Sequence, residues 1–127
     1  MTVLVVDDEP VVRDFLLRSI GSAGYNVLEA ASSDEAMELA QSFHEPIDLL
    51  IIDHLLEDRK RGVDVAAEIA AVKPDIRVLL ISGNAQEDVL SEVRTDLMVD
   101  FLQKPFTHQV LNEKVRRMLD RRNTAAP

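Results

Sequence analysis

Polar side chains follow directly after four of the short apolar runs in this sequence. They are three carboxylates, one hydroxyl and one ammonium, contributed by Asp7, Asp8, Asp53, Ser82 and Lys104. Carboxylates gathered at one place repel one another, and a divalent cation removes that penalty. Mg²⁺ prefers oxygen ligands, of which one or two are carboxylates and the others are waters or a substrate phosphate. These residue types therefore suit a magnesium site that handles a phosphoryl group.

The same side chains suit one reaction, the transfer of a phosphoryl group to an aspartate. An aspartate carboxylate is ionised at neutral pH, so Asp53 would need no general base to attack phosphorus. The three phosphoryl oxygens must be neutralised, and the metal, Lys104 and the Ser82 hydroxyl with nearby backbone N–H groups could each take one. We expect Asp8 and Asp53 to contact the metal directly and Asp7 to act through water.

Each of these side chains also has an ordinary structural explanation. Asp7 and Asp8 could cap a helix that begins near Pro10. Ser82 could form part of a Ser-Gly-Asn turn, and Lys104 could be a solvated lysine whose stem lies on apolar surface. If these side chains were independent caps and turns, there would be no reason for all of them to follow predicted strands. Their shared position therefore favours a common magnesium and phosphoryl site.

The elements that must position these side chains can be predicted from apolar periodicity. Nearly continuous apolar runs predict five buried strands, at 2–6, 27–31, 48–52, 77–81 and 99–102. Apolar stripes at helical spacing predict five helices, around 12–20, 36–40, 63–70, 89–93 and 111–119. This alternation requires parallel strands joined by right-handed crossovers, a doubly wound α/β sheet. In such sheets, sites form beyond the carboxyl ends of the strands.

Several residues predict where the helices begin and end. Gly21 or Gly24 should end the first helix. Ser32 or Ser33 should cap the second helix, and Thr107 should cap the last.

Composition limits the classes of protein that this chain can represent. The 127 residues suit one domain, which we place at 1–120, with a short tail at 121–127 and no effector domain. The net charge of −9 argues against nucleic-acid binding, which needs a basic face. The chain has no cysteine, no basic flank typical of a signal peptide, and no apolar run long enough to span a membrane. We therefore expect a cytoplasmic protein that binds neither nucleic acid nor membrane.

The motifs and their order resemble those of response-regulator receiver domains of two-component signalling, including the chemotaxis-type receivers. The matching residues are Val-Val-Asp7-Asp8-Glu9-Pro10, Gly24-Tyr25-x-Val27, Asp53 after an apolar run, Ser82-Gly83 and Lys104-Pro105-Phe106. The match extends from Thr2 to about Leu119. The resemblance implies a flavodoxin-like sheet with strand order 2-1-3-4-5 and five helices.

The resemblance also implies a role for each matching residue. Asp53 would accept a phosphoryl group from a phosphohistidine on a sensor histidine kinase or a histidine phosphotransfer protein. Asp7, Asp8 and Asp53 would hold Mg²⁺ together with the main-chain carbonyl of Leu55, and Mn²⁺ is an alternative ion. Ser82 and Lys104 would bind the phosphoryl oxygens.

A conformational switch is implied as well. Phe101, three residues before Lys104, occupies the aromatic switch position, and its rotamer would follow the movement of Ser82. The surface formed by the fourth helix, the fifth strand and the fifth helix would change as a result. Taken alone, Phe101 is more often an ordinary core residue. The Lys104–Pro105 peptide bond would be cis.

The segment after Asp53 departs from the family pattern. Glu57 stands where many members have proline, and Gly62 follows Asp53 by nine residues, one more than the commonest spacing. Residues 57–61 are all charged. Such a run favours a solvated loop, and recognition of a kinase is the alternative.

Two other functions remain open at this stage. One is an aspartyl-nucleophile phosphatase of the haloacid-dehalogenase type, although Leu55 stands where such enzymes place their general acid. The other is a docking module that binds its partner regardless of phosphorylation. The receiver hypothesis itself implies a domain that catalyses its own phosphorylation and dephosphorylation, not an enzyme with turnover on an external substrate.

Overall fold

The fold is known from a computed structural model, which describes residues 1–56, 60–83 and 98–124, with side chains as far as Asp120. Its strands are β1 Thr2–Val6, β2 Asn26–Ala30, β3 Leu49–Asp53, β4 Arg77–Ser82 and β5 Met98–Gln103. Its described helices are α1 Pro10–Ser22, α2 Ser33–Ser42, α3 Gly62–Val72 and α4 His108–Thr124. The helix predicted around 89–93 lies outside the described residues, so α4 is the fifth predicted helix.

The five strands form one parallel sheet in the order β2-β1-β3-β4-β5. This order confirms the fold that the resemblance implies. Each observed strand begins and ends within one residue of its prediction. β3 and β4 each end one residue later than predicted, because Asp53 and Ser82 still pair with the neighbouring strand, opposite Ile81 and Gln103 respectively.

Two apolar layers cover the two faces of the sheet. One layer packs beneath α2 and α3 and includes Leu50, Ile52 and Leu80. The other packs beneath α1 and α4 and includes Ile51 and Leu79. Because β1, β3 and β4 are buried on both faces, every residue along most of their length must be apolar.

Local signals in the sequence agree with the helix ends. The Ser32 Oγ accepts a hydrogen bond from the Glu35 N–H at 3.2 Å and caps α2. The Thr107 Oγ1 accepts one from the Val110 N–H at 3.1 Å and caps α4. After α1 the chain turns at Gly24, whose φ of +95° favours glycine because it has no Cβ.

Helix α4 continues to Thr124, into the segment at 121–127 that we expected to be a short tail. Arginine, which recurs in this segment, is a good helix former. Over the residues that are described, no helix is long and apolar enough to cross a membrane.

The central position of β3 makes its apolar side chains decisive for stability. Ile51 is completely buried, whereas Val11 is 81% exposed on α1. We expect Ile51→Ala to lower the free energy of unfolding by about 2–5 kcal/mol, because it removes transfer energy and leaves a cavity. Val11→Ala should change it by less than about 0.5 kcal/mol. Urea unfolding of both variants tests this, and equal effects would contradict the assigned burial.

Candidate functional site

Asp53 lies at the carboxyl end of the central strand β3, and both of its carboxylate oxygens are bound. Oδ2 accepts a hydrogen bond from the Lys104 Nζ at 3.0 Å. Oδ1 accepts one from the Leu55 N–H at 3.2 Å. The Asp53 side chain is 18% exposed, so it is held in place and still open to a reactant.

Lys104 and Ser82 come from neighbouring strands, and their backbones are joined. The Lys104 N–H donates a hydrogen bond to the Ser82 carbonyl at 2.8 Å. Ser82 is 3% exposed and is the last residue of β4. The Lys104–Pro105 peptide bond is cis. The side chains predicted to bind phosphoryl oxygens therefore lie on adjacent strand ends, with Lys104 directed toward Asp53.

Asp7 lies directly after β1, fully buried. Its Oδ1 accepts a hydrogen bond from the Glu9 N–H at 2.9 Å. Glu9 is the residue that precedes α1, and its own side chain makes no capping bond. Asp7 therefore stabilises the turn into α1 instead of capping the first turn of the helix. The Arg13 Nη1 donates to the Asp7 carbonyl at 2.8 Å and ties the helix back to this turn.

The charges of the site shift two pKa values. The pKa of Asp7 is raised from 3.8 to about 6. Burial is the largest cause, and the negative charges of Asp53 and Asp8 add to it, against the opposing effects of the hydrogen bond from the Glu9 N–H and the Lys104 charge. Burial alone would lower the pKa of Lys104, but its hydrogen bond to Asp53 and the surrounding negative charges raise it overall. The site thus strongly favours cations.

The donor atoms at this edge of the sheet fit a hard divalent cation. Asp7 Oδ2 is buried and has no hydrogen-bond partner among the described residues. A buried carboxylate oxygen left without a partner, with two further carboxylates close enough to raise its pKa, is suited to a positive ion. Within the described ranges, no three or more His, Cys, Asp or Glu side chains form a group that could hold a metal ion, so the joint role of Asp7, Asp8 and Asp53 stays a prediction. Carboxylate oxygens are nevertheless ligands of the kind that Mg²⁺ prefers.

The loop after Asp53 is closed at its base. Leu55 and Arg61 form an antiparallel bridge, flanked by hydrogen bonds from Leu56 N–H to Lys60 and from Gly62 N–H to His54. In this kind of bridge the N–H and C=O of Leu55 both point away from Arg61. The Leu55 N–H donates a hydrogen bond to Asp53 Oδ1. The Leu55 carbonyl is therefore directed to the side on which the Asp53 carboxylate lies. Residues 57–59, which contain part of the charged run, lie outside the described residues.

Gly62 approaches the backbone of Asp53 more closely than any other residue type could. A Cβ at this position would lie 2.3 Å from the Asp53 carbonyl oxygen and 3.2 Å from Leu80. In the sequence, Gly62 stands out only by its spacing from Asp53, which does not predict this contact. A glycine at the first residue of a helix, where other residues are preferred, is the signal that points to it.

Phe101 lies on β5 with only 5% of its surface exposed, packed in the layer beneath α2 and α3. It pairs in register with Leu80, two residues before Ser82 on β4. Its ring is therefore part of the core in this structure, and the switch role stays a prediction.

The sequence matches one family of known proteins. The family profile described as "Response regulator receiver domain" matches residues 3–116. The chain is 33% identical over 122 residues to the sensor kinase CckA of Brucella abortus, covering 96% of this chain and 13% of that kinase. It is 32% identical over 121 residues to the response regulator RR06 of Streptococcus pneumoniae, covering 95% of this chain and 54% of that protein.

A solved structure agrees with the sequence matches. The receiver domain of the hybrid histidine kinase CckA superposes with a TM-score of 0.79 at 31% identity, covering 94% of this chain and 99% of that one. The chain belongs to the response regulator receiver domain family of two-component signalling, which confirms the resemblance seen in its motifs. Phosphorylation and magnesium binding are typical of this family. The chain spans 13% of the kinase and about half of the regulator that it matches.

The contact between Gly62 and Asp53 leads to a prediction about stability. We expect Gly62→Ala to lower the free energy of unfolding by about 1–3 kcal/mol, because the Asp53 backbone must move to admit the methyl group. Gly21→Ala is the matched control, since no atom lies within 4 Å of its added Cβ and alanine favours the helix. Urea unfolding should show a loss for the first variant and none for the second, and two similar values would contradict the close approach.

The raised pKa of Asp7 predicts how stability depends on pH without metal. The folded protein binds this proton more tightly than the unfolded chain does, so the contribution of Asp7 to stability falls as the pH rises from about 3.8 to about 6. In EDTA at pH 8, Asp7→Asn should therefore be more stable than the wild type by roughly 1–3 kcal/mol. At pH 3.5 the difference should disappear. Thermal unfolding at both values is the measurement, and a pH-independent difference would refute the stated cause.

Proposed function

We propose that Asp53 accepts a phosphoryl group from a phosphohistidine in a Mg²⁺-dependent reaction. The observation that carries the proposal is the ion pair between Asp53 and Lys104 at the carboxyl edge of a receiver-type sheet. Asp53 is the nucleophile in this pair. The Lys104 ammonium can then stabilise the negative charge on the phosphoryl oxygens during transfer. Membership of the receiver family supports the same reaction.

The phosphoryl transfer is a single displacement at phosphorus. An Asp53 carboxylate oxygen forms a bond to phosphorus while the bond between phosphorus and the donor's imidazole nitrogen breaks. The imidazole keeps the electron pair of the broken bond. Lys104 moves from the Asp53 carboxylate to a phosphoryl oxygen, and the Ser82 hydroxyl donates a hydrogen bond to another.

The negative side chains of the site would hold the metal. Asp7, Asp8 and Asp53 are the carboxylates for this role, together with the Leu55 carbonyl. When bound, Mg²⁺ neutralises negative charge on the phosphoryl group and on the carboxylates around it. Buried Asp7 Oδ2 and the direction of the Leu55 carbonyl support this assignment.

The output would be a change of surface that a partner protein reads. Ser82 would shift toward the phosphoryl group, and Phe101 would respond on the neighbouring strand. The surface affected would be formed by β5, α4 and the helix predicted around 89–93. The donor would be a sensor histidine kinase or a histidine phosphotransfer protein, in keeping with the sensor kinase among the relatives.

We regard the domain as a signalling module that catalyses its own phosphorylation and dephosphorylation. A phosphatase of the haloacid-dehalogenase type would need an acid two residues after Asp53. Leu55, an apolar side chain that is 56% exposed, stands there.

Phosphorylation by a small acyl phosphate tests the proposal directly. With Mg²⁺ and acetyl phosphate, the wild type should gain the mass of one phosphoryl group, because the site itself supplies the catalysis. Asp53→Asn should gain none, and omission of Mg²⁺ with EDTA should abolish the gain in the wild type. Intact-mass spectrometry measures each result.

Asp14→Asn serves as the matched control, since Asp14 lies exposed on α1 in an ion pair with Arg18. It should be labelled at the wild-type rate. Labelling of Asp53→Asn at that rate, or an unlabelled wild type, would disprove the assignment of the acceptor.

A further inference from the structure

Arg13 connects the start of α1 to the turn that carries Asp7 and Asp8. Its backbone N–H donates a hydrogen bond to the Glu9 carbonyl at 2.9 Å, at the beginning of the helix. Helical side chains tilt toward the N-terminus of their helix, so the partly buried Arg13 side chain lies over the preceding turn. There its Nη1 donates a hydrogen bond to the Asp7 main-chain carbonyl at 2.8 Å. The helix is thereby attached to the backbone between the two aspartates.

The carbonyl that Arg13 binds belongs to the peptide unit between Asp7 and Asp8. A peptide unit is planar, so a hydrogen bond to its carbonyl restrains the rotation on both sides, at ψ of Asp7 and φ of Asp8. These two rotations set the direction of the Asp8 side chain relative to that of Asp7. One hydrogen bond from Arg13 therefore restrains the angle between two carboxylates that we propose for Mg²⁺.

Two backbone contacts hold Asp7 itself. Its N–H donates a hydrogen bond to the Ala30 carbonyl, the last residue of β2, at 3.2 Å. Its Oδ1 accepts one from the Glu9 N–H at 2.9 Å. Compared with these two bonds, the one from Arg13 acts further along the chain, on the peptide unit that leads to Asp8. It is also made by a side chain, so a substitution can remove it.

We propose that Arg13 is a positioning residue that raises the affinity of the site for Mg²⁺ by fixing the peptide unit between Asp7 and Asp8. The inference rests on the proposed function, since it concerns the metal of that site. Mg²⁺ demands near-ideal octahedral geometry. Carboxylates that are held in place before binding lose less conformational freedom when the ion arrives, and this raises affinity. Arg13 itself would touch neither the ion nor the reacting atoms.

The sign of the effect separates this role from a simple effect of charge. The Arg13 guanidinium is positive, and a positive charge near the site repels a metal ion. If Arg13 acted through its charge alone, its removal would strengthen Mg²⁺ binding. If it acts by holding the peptide unit, its removal weakens Mg²⁺ binding. The two explanations thus predict opposite changes.

Titration with MgCl₂ alone, with no phosphodonor present, tests the inference. Amide resonances in NMR spectra of the whole chain report the binding. Arg13→Met keeps an apolar stem and removes both the donor and the charge, and we expect its Kd for Mg²⁺ to be about tenfold higher than that of the wild type. A Kd that is unchanged or lower would overturn the inference, even if the variant is less stable.

Two further variants serve as the control and the rescue. Arg18→Met removes the same charge from an arginine that is 78% exposed on α1 and pairs with Asp14, and its Kd should equal that of the wild type. Arg13→Lys keeps one N–H donor on a long stem and should bind Mg²⁺ within about twofold of the wild type, because a single donor is sufficient for the carbonyl. A lysine variant as weak as Arg13→Met would overturn the inference. Arg13→Gln, whose amide is too short to reach the carbonyl, replaces Arg13→Met if that variant does not fold, and the same criterion applies to it.

The Mg²⁺ dependence of phosphorylation provides a readout that a merely structural role would not move. With acetyl phosphate in excess, the Mg²⁺ concentration that gives the half-maximal rate should be about tenfold higher in Arg13→Met. The rate at saturating Mg²⁺ should stay within about twofold of the wild type, because Arg13 acts on the assembly of the site. A lower maximal rate with an unchanged half-maximal concentration would overturn the inference.

The possible failures are distinguishable. If the wild type neither binds Mg²⁺ nor takes up a phosphoryl group, the proposed function fails and the inference fails with it. If the wild type does both but Arg13→Met binds Mg²⁺ as tightly as Arg18→Met, the inference alone fails.

Discussion

The contact between Lys104 and Asp53 balances an accumulation of negative charge at one edge of the sheet. Asp7, Asp53 and Asp8 come together there because parallel strands deliver their carboxyl ends to the same side. Burial, with repulsion from the other two carboxylates added to it, raises the pKa of Asp7 to about 6. Lys104, fixed through its backbone bond to Ser82, offsets part of that repulsion. The same charge that makes the edge costly to fold makes it suited to a cation.

Backbone contacts hold this edge in position. Asp53 leaves β3 into a loop whose base is closed by the bridge between Leu55 and Arg61. Gly62 then returns so close to the Asp53 carbonyl that only glycine fits without a shift. The base of the loop is thus closed, and Asp53 keeps its place at the end of β3.

The sheet also connects the carboxyl edge to the region where β5 packs against α4. The proposed acceptor lies at the strand ends, whereas an ion pair between Asp100 and Lys114 lies along β5 where the strand packs against α4. Because β5 carries Phe101 and leads directly to Lys104, one strand connects both regions. The order of the sheet places β5 at one end, where a strand paired on a single side has fewer restraints than β3 at the centre.

Local patterns determined a large part of this protein. Continuous apolar runs predicted strands that are buried on both faces, and Ser32 and Thr107 predicted helix starts, because burial and capping depend on neighbouring residues. The strand order came from the family resemblance, since periodicity does not say which strands pair. Only the tertiary structure decided the approach of Gly62 to Asp53 and the pairing of Asp100 with Lys114. It also decided that one buried oxygen of Asp7 has no hydrogen-bond partner in the described part of the chain. Those features depend on distances between residues far apart in the chain, and such distances exist only once the sheet has formed.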